Sequence, residues 1–466
     1  MSGMKVVEAL REALGPDKVA TDEASLQARR HDYWALSAIR DHRKDPAPVP
    51  ACVVRPGNVL DVQAALRAAA AAGAPVIPFG LGSGVVGGVI ARPDAVVLDM
   101  SAMSRVRSID PTDLMATFDA GVRGTDAEAA VAAQGLTIGH WPQSVAVSSV
   151  GGWVATRASG QFSTAYGNIE DMVLAVEAVL PDGTLVTLGK GPRASVGPDL
   201  RALILGSEGA LGVITGVTLS LRRAPEARAL SVFEIADMDR GFELQRQIVQ
   251  AGWRPPVMRQ YDPRESRRMD ARASACLLLM IHEGPSGLVG AETAAVGELV
   301  AAAGATPMPA EVAERWLENR NHVPSWDQLL ARGLVVDTVE VSAPWSRIGS
   351  VYGDAVSALA RIPGLIAGSA HSSHAYRSGL NLYFTFAIQT DDTEAMEPAY
   401  LAAWRAILEA TDLHGGSLSH HHGIGRVRRE WLERELGPGG LTLLRRVKSA
   451  LDPRGMMNPG VLIPNA

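Results

Sequence analysis

Three glycine-rich segments in the first half of the chain constrain its fold more than any other feature. They cover residues 78–84 (PFGLGSG), 148–160 (SSVGGWVATRASG) and 206–215 (GSEGALGVIT). Glycine tolerates positive φ and lets backbone N–H groups approach a diphosphate or a flat ring closely. Each segment alone could equally be a tight turn between packed elements. None is the helix-opening GxGxxG of dinucleotide-binding folds, because that motif and its downstream acidic residue are absent.

Short apolar runs alternate with amphipathic helical stretches, a texture typical of α+β or α/β structure. The predicted elements of the first half are strands at 51–56, 74–80, 95–100 and 114–122, helices at 58–73 and 124–135, and a hairpin around Pro181-Asp182-Gly183. Later strands are predicted at 230–236, 275–284, 338–348 and 380–389. A chain of 466 residues favours two domains. We place them at 1–225 and 226–420, with residues 421–466 returning to the first domain.

Composition excludes several functional classes. The chain has 50 acidic and 44 basic residues, mixed throughout, which gives no electrostatic footprint for nucleic acid. Its two cysteines, Cys52 and Cys276, lie far apart in apolar stretches, so we expect no disulfide framework and a reducing cytoplasm. The amphipathic N-terminus lacks the apolar core of a secretory signal, and no apolar run has membrane-spanning length. We therefore expect a soluble, cytoplasmic protein.

Two histidine clusters in the second half are candidates for proton transfer. His420, His421 and His422 are consecutive and precede a Gly-Ile-Gly turn. The other cluster, HSSHAYR, covers residues 371–377 and precedes the predicted strand at 380–389. Histidine and tyrosine side chains both accept and donate protons near neutral pH or when activated by neighbours. The alternatives for the triplet are a surface turn or an opportunistic metal patch.

The order and spacing of the glycine segments resemble the FAD-binding PCMH-type domain of the vanillyl-alcohol oxidase superfamily. The resemblance implies an α+β fold: a two-subdomain FAD-binding domain followed by an α+β cap of the FAD-linked oxidase C-terminal type. It also implies FAD as the cofactor, bound without a covalent link because no histidine stands in or near the first glycine segment. The cofactor contacts that it implies are Pro78, Gly80, Gly82, Ser83, Gly84, Ser149, Gly151, Gly152, Thr156, Gly160, Glu208, Gly212 and Ile214.

Within this superfamily the chain is most similar to alkylglycerone-phosphate synthases. The matching stretches are SVGGWVATRASG, YGNIEDMV, PPVMRQYD, VSAPW, HAYRSGLNLYFTF and GGSLSHHHGIGRVRREWL. The resemblance implies catalytic roles for one tyrosine and the triplet, with the middle histidine foremost, and substrate-binding roles for two arginines. These residues are Tyr376, His420, His421 and His422, and Arg259 and Arg377.

Two departures from related patterns bear on the substrate and on metal binding. An ungapped count places Trp326 where the synthases have a substrate-binding arginine, and Arg320 or Arg332 are the nearest substitutes. Metal-dependent D-2-hydroxy-acid dehydrogenases carry HxGDGNxH, and LNLYF replaces it here. We therefore expect no metal at this site.

The resemblance implies two reactions at flavin N5; the tyrosine and histidine-triplet pattern favours the first, and the second is the alternative. One is the exchange of an acyl for an alkyl group on a dihydroxyacetone phosphate ester. The other is oxidation of a small D-2-hydroxy acid of the lactate, glycolate or 2-hydroxyglutarate type, with oxygen, a quinone or a carrier protein as electron acceptor. A flavoprotein sensor without catalysis would leave the proton-transfer groups unused. The expected partners are a small-molecule substrate, a second copy in a homodimer and a membrane surface contacted peripherally.

Overall fold

The computed structural model describes residues 2–322 and 325–464, and it confirms the predicted α+β class. The first subdomain contains one small sheet. Its strands are β1 (Val19–Ala20), β2 (Cys52–Val54), β3 (Val76–Phe79) and β4 (Val96–Asp99). They lie in the order β1-β2-β4-β3, with β2, β4 and β3 parallel and β1 antiparallel at the edge. Strands β2 and β3 run parallel on either side of β4, and consecutive parallel strands need a crossover connection, which the helix between them supplies.

The helices of the first domain are mostly short. They are α1 (Ser2–Leu14), α2 (Glu23–Gln27), α3 (Ala35–His42), α4 (Val59–Ala72), α5 (Gly124–Ala132), α6 (Val150–Thr156), α7 (Ser163–Tyr166), α8 (Ile169–Met172) and α9 (Arg201–Ile204). The crossover helix α4 begins where the Asn58 side chain accepts from the Asp61 N–H, and it ends at Gly73, which has a φ of 68°. Asparagine before the first turn and glycine after the last turn are common helix-capping residues, so the sequence predicts both ends of α4.

The second subdomain contains an antiparallel five-stranded sheet. The strands of this region are β5 (Val106–Asp110), β6 (Met115–Asp119), β7 (Leu136–Thr137), β8 (Val173–Val179), β9 (Leu185–Leu188), β10 (Val213–Ser220) and β11 (Arg222–Arg223). The main sheet has the order β5-β6-β10-β8-β9, and β7 pairs with β11. The predicted hairpin is confirmed: β8 and β9 are antiparallel, and Asp182 closes their turn by accepting from the Thr184 N–H.

The cap is built on an antiparallel seven-stranded sheet. Its strands are β12 (Ala227–Ile235), β13 (Val257–Tyr261), β14 (Cys276–Gly284), β15 (Thr306–Met308), β16 (Leu334–Pro344), β17 (Leu365–Ser372) and β18 (Gly379–Gln389). Its helices are α10 (Met238–Gln250), α11 (Pro263–Met269), α12 (Ser286–Ala302), α13 (Glu311–Asn319), α14 (Trp326–Leu330), α15 (Trp345–Leu359) and α16 (Thr393–Leu413). The sheet order is β15-β12-β14-β13-β17-β18-β16, so β13, β17, β18 and β16 lie side by side.

One predicted strand is wrong at its end. The strand expected at 338–348 stops at Pro344, and Trp345 begins α15. Proline has no N–H to continue a ladder, and its φ of −58° leads directly into a first helical turn. The apolar residues that follow Pro344 therefore pack at helical rather than strand spacing, with Ile348 and Val351 fully buried.

The N-terminal segment around α3 packs into the core of the cap, although it precedes the first domain's strand β2. The Trp34 indole N–H donates to the Tyr400 hydroxyl on α16 at 2.9 Å. On the same helix, Glu397 accepts from the guanidinium groups of Arg40 and Arg43. The predicted division at residue 225 falls between β11 and β12, but these contacts tie the two parts together.

The C-terminal segment begins in the cap and ends on the first sheet. Helix α17 (Leu432–Leu451) bends at Gly437, and beyond it the chain runs beside β3. There the Val76 N–H donates to the Met456 carbonyl, and the Asn458 N–H donates to the Val76 carbonyl. Among the described residues, no helix has both the length and the apolar character needed to cross a bilayer.

Candidate active site

A cavity of about 1210 Å³ lies between the two domains. The three glycine segments, which we call the glycine wall, form one side of it. The other side comes from the cap strands β13, β16, β17 and β18 and from residues 419–425, which we call the histidine turn. Sites for a single small ligand usually occupy about 300–1,000 Å³, so this cavity has room for a cofactor and a substrate together.

Every residue predicted to contact the cofactor lines this cavity except Gly160. Gly160 instead packs against the backbone of the neighbouring loop, where an added Cβ would lie 2.6 Å from the Trp141 nitrogen. A Cβ at Gly80 would lie 2.6 Å from the Ser149 Oγ, so a larger residue there would displace the hydroxyl that caps α6. The first and second glycine segments therefore touch, and they form a continuous backbone surface.

The glycine wall fits FAD. Gly82 has a φ of 76°, so the first segment contains a turn that only glycine adopts readily and that exposes backbone groups. Ser149 precedes α6, and its Oγ accepts from the Gly152 N–H at 3.2 Å. Among the described residues that line the cavity, Arg259 on the cap is the only arginine or lysine. A diphosphate on this wall would consequently be held by backbone N–H groups rather than by cationic side chains.

Glu208 joins the glycine wall to the histidine turn. Its two carboxylate oxygens accept from the backbone N–H groups of Ile424 and Gly425 at 2.7 and 2.8 Å. Burial raises the pKa of Glu208 to about 7, and the two N–H donors oppose that shift. The predicted cofactor residue thus also anchors the segment that carries the histidines.

A buried ion pair holds the histidine turn from the cap side. Glu340 on β16 accepts from the backbone N–H groups of His420 and His422 at 2.8 and 2.6 Å. Arg428 lies 3.1 Å from Glu340, and both side chains have zero exposure. Arg428 also donates to the Gly423 carbonyl and packs over the Trp404 ring. Burial acts to raise the pKa of Glu340, but the Arg428 charge and the N–H donors lower it below its ordinary value.

Tyr383, which is not among the residues predicted from the sequence, lies in the cavity wall beside His421 and His422. Its hydroxyl is 3.3 Å from the His422 Nε2 and accepts from the Thr338 hydroxyl at 3.2 Å. The rings of Tyr383 and His421 stack with centroids 5.8 Å apart. Burial lowers the pKa of both histidines well below 6.5 and raises the pKa of Tyr383 to about 12. At neutral pH the histidines are therefore uncharged bases, and the phenol keeps its proton.

The period-2 pattern of β18 carried a signal for Tyr383. Along this strand Tyr383 and Thr385 face the cavity, whereas Phe384 and Phe386 are buried in the cap core. Alternation of polar and apolar residues separates the two faces of a strand. Tyr376 precedes β18, so the alternation along the strand does not place it on either face.

The other predicted catalytic and substrate residues lie behind the wall or on the surface. The Tyr376 hydroxyl is 2.6 Å from the His420 Nε2, and neither residue lines the cavity. The His420 Nδ1 is 2.8 Å from the His421 Nδ1, so these residues support His421 from behind. The Arg377 side chain is exposed and away from the cavity.

Three imidazoles near this wall have a spacing that a metal ion could bridge. One ring nitrogen from each of His374, His420 and His421 lies within 4.8 Å of the others. Hydrogen bonds already use both nitrogens of His420, and the His374 Nδ1 is 2.5 Å from the Ser163 hydroxyl. The absence of a metal stays a prediction from the sequence.

The fold and the cavity define a two-domain flavoprotein. Residues 50–189 match the model of the FAD binding domain, and residues 224–462 match that of the FAD linked oxidases, C-terminal domain. The chain therefore belongs to the FAD-linked oxidase family, and FAD is its cofactor. That the FAD is not covalently linked stays a prediction.

Two relatives and one solved structure are similar to this chain over nearly its whole length. The chain is 34% identical to the uncharacterized FAD-linked oxidoreductase YgcU of Escherichia coli (strain K12), over 100% of this chain and 99% of that protein. It is 30% identical to the alkyldihydroxyacetonephosphate synthase of Trypanosoma brucei brucei, over 98% and 80% of the two chains. A solved alkyldihydroxyacetonephosphate synthase superposes with a TM-score of 0.81 at 26% identity, covering 97% and 85%.

Replacing Arg428 by methionine tests the buried ion pair. Arg428→Met leaves the Glu340 carboxylate buried without its counter-charge, so we expect the free energy of unfolding to fall by about 3–5 kcal/mol. Urea denaturation of the holoenzyme, followed by circular dichroism, measures this change. Arg434→Met is the matched control, because that exposed guanidinium packs over Trp431 and pairs with Asp412. The control should lose less than about 1 kcal/mol. Equal losses in the two variants would contradict a structural role for the pair.

Proposed function

We propose that the chain is an FAD-dependent oxidoreductase that oxidises a small 2-hydroxy acid. The observation that supports this proposal most is that the described lining of the cavity has one arginine and no lysine. Arg259 alone among the described lining residues carries a permanent positive charge. One guanidinium pairs bidentately with one carboxylate, whereas a phosphate monoester carries up to two negative charges and would leave one uncompensated. Trp326, where the synthase resemblance predicts an arginine, also lines the cavity, whereas Arg320 and Arg332 do not.

Oxidation of a hydroxy acid requires a proton to leave the hydroxyl oxygen and a hydride to leave the adjacent carbon. FAD supplies the hydride acceptor when it is bound. His421 and His422 are suited to take the proton, because burial keeps both imidazoles neutral. Tyr383 keeps its own proton and is suited to donate a hydrogen bond to the substrate oxygen. Arg259 would hold the carboxylate, so that the reacting carbon has a fixed position.

Tyr376 and His420 act in this proposal by orienting His421. In the tautomers that leave the His421 Nε2 free to accept a proton, the His420 Nε2–H donates to the Tyr376 hydroxyl and the His421 Nδ1–H donates to the His420 Nδ1, and these bonds fix both imidazole rings. A fixed ring presents one defined nitrogen to the substrate, which raises the efficiency of a general base. The catalytic role that the sequence analysis gave to Tyr376 becomes a supporting role here.

A second candidate is the acyl-for-alkyl exchange of the synthases. The 30% identity to the T. brucei brucei synthase across 98% of this chain favours it. That reaction also removes a proton beside the flavin, so Tyr383, His421 and His422 would serve it equally. It differs in its phosphate-bearing substrate and in having no net redox change.

An anaerobic flavin titration distinguishes the two candidates. The holoenzyme is mixed separately with D-lactate, D-2-hydroxyglutarate, glycolate and acylated dihydroxyacetone phosphate, and absorbance near about 450 nm is recorded. Bleaching by a hydroxy acid, with the 2-oxo acid formed and colour restored by an electron acceptor, is the expected result. Bleaching only by the acylated phosphate, with fatty acid released, would support the exchange reaction instead. A spectrum that none of these compounds changes would contradict both.

Two tyrosine variants test whether Tyr383 or Tyr376 contacts the substrate. Tyr383→Phe removes the hydroxyl that faces the substrate, so flavin reduction should slow by about 10²–10³-fold. Tyr376→Phe removes only the support of His420, so the expected loss is about tenfold or less. Stopped-flow measurement of flavin reduction reports both rates. Tyr352→Phe, on α15 and outside the cavity, is the control for loss of a tyrosine hydroxyl at a partly buried position. A larger loss for Tyr376→Phe than for Tyr383→Phe would contradict this assignment.

The pH dependence of kcat/KM tests the proposed base. The pKa of His421 and of His422 is lowered below 6.5 by burial, and the base acts only in its neutral form. Activity should therefore be lost as pH falls through the lowered value, with the acid limb below pH 6.5. A profile between about pH 5 and pH 9 checks this expectation. An acid limb above pH 6.5 would exclude these imidazoles as the base.

A further inference from the structure

Arg259 is held by an imidazole that is itself held by a carboxylate. The Arg259 Nη2 lies 2.7 Å from the His371 Nε2. The His371 Nδ1 lies 2.8 Å from the Glu265 Oε2. We propose that His371 and Glu265 are positioning residues that fix Arg259 for a bidentate grip on the substrate carboxylate. This inference rests on the proposed function and deepens it.

The chemistry of the three side chains fixes the direction of these hydrogen bonds. A guanidinium has donors only, so His371 must offer the lone pair of Nε2. The imidazole proton then stands on Nδ1 and is donated to Glu265. Burial lowers the pKa of His371 despite the nearby carboxylate, which favours this neutral state. Ser369 donates to the other oxygen of Glu265 at 3.0 Å, so the carboxylate is fixed as well.

Further contacts fix the plane of the guanidinium and leave one edge available. The Arg259 Nε donates to the Tyr261 hydroxyl at 2.9 Å, and the guanidinium packs over the Trp316 ring at 5.2 Å. Within the described parts of the chain, no acceptor bonds to Nη1. The N–H groups of Nη1 and the second N–H of Nη2 therefore remain for a ligand. Those two nitrogens form the edge that matches a carboxylate.

A comparison with the buried Arg428 explains why the His371 imidazole lies between Arg259 and Glu265. Arg428 pairs directly with Glu340 at 3.1 Å, so its charge is already compensated. Arg259 has no such direct carboxylate partner among the described ion pairs, and Glu265 is separated from it by the His371 ring. The chain of contacts from Glu265 through His371 to Arg259, which we call the relay, orients the Arg259 guanidinium. The positive charge of Arg259 stays available to an anion. A guanidinium held only for stability would gain more from direct pairing.

Two substitutions at His371 distinguish its contact with Glu265 from its contact with Arg259. Asparagine places its amide near the position of Nδ1, so His371→Asn keeps the bond to Glu265 and loses the acceptor for Arg259. Glutamine places its oxygen near the position of Nε2, so His371→Gln keeps the acceptor for Arg259. A matched control exists in the same sheet, where the His282 Nδ1 lies 2.8 Å from Glu292 and both residues are away from the cavity. His282→Asn repeats the substitution at that pair.

Oxalate binding to the holoenzyme, followed by the flavin difference spectrum, is the test. Oxalate is a carboxylate that cannot be oxidised as a hydroxy acid, so its binding does not depend on turnover. His371→Asn should weaken oxalate binding about tenfold or more, because Arg259 loses a charge-assisted hydrogen bond. His371→Gln should stay within about threefold of the native protein, and His282→Asn should bind as the native protein does. With a hydroxy acid that is turned over, His371→Asn should raise KM by a larger factor than it lowers kcat, because Arg259 acts first on carboxylate binding and only through it on the position of the reacting carbon.

The outcomes separate this inference from the proposed function. If Arg259→Met no longer binds oxalate while His371→Asn binds it with native affinity, the positioning role of His371 is contradicted and the anion site at Arg259 is supported. An equal loss in His371→Asn and His371→Gln would also overturn the relay, since the acceptor for Arg259 would not matter. If Arg259→Met binds oxalate as tightly as the native protein, the anion site of the proposed function fails.

Discussion

The ion pair between Glu340 and Arg428 is the interaction on which the geometry of the cavity depends. It is fully buried, so the two charges gain stability only because other hydrogen bonds satisfy both groups. The pair meets that condition: Glu340 accepts from two backbone N–H groups of the histidine turn, and Arg428 donates to the Gly423 carbonyl. A charge pair at the core of the cap therefore defines the path of a loop that belongs to no helix or strand.

A second carboxylate holds the same turn from the opposite domain. Glu208, in the third glycine segment, binds the backbone of Ile424 and Gly425. The histidine turn is thus held by the cap at its first half and by the glycine wall at its second half. This arrangement brings the imidazoles and the cofactor wall to the same cavity. It also explains why the C-terminal segment can leave the cap and pair with Val76 on the first sheet.

Much of the fold could be predicted from local patterns, because glycine turns, the Asp182 hairpin and the spacing of α4 depend on neighbouring residues. The site was harder to predict, because its partners are distant in the chain. Arg259 and His371 are 112 positions apart, and no spacing rule joins them. Tyr383 was missed because Tyr376 lies within the histidine cluster at 371–377, whereas Tyr383 is indicated only by the alternation along β18. The packing of α3 on the cap likewise depends on tertiary contacts with Glu397 and Tyr400.

A crystal structure of the holoenzyme with oxalate is the most direct test of this account. We predict that oxalate binds the Nη1–Nη2 edge of Arg259, with the flavin ring between the glycine wall and the face formed by Tyr383 and His421. Oxalate bound away from Arg259, or a flavin ring that does not face Tyr383 and His421, would contradict it.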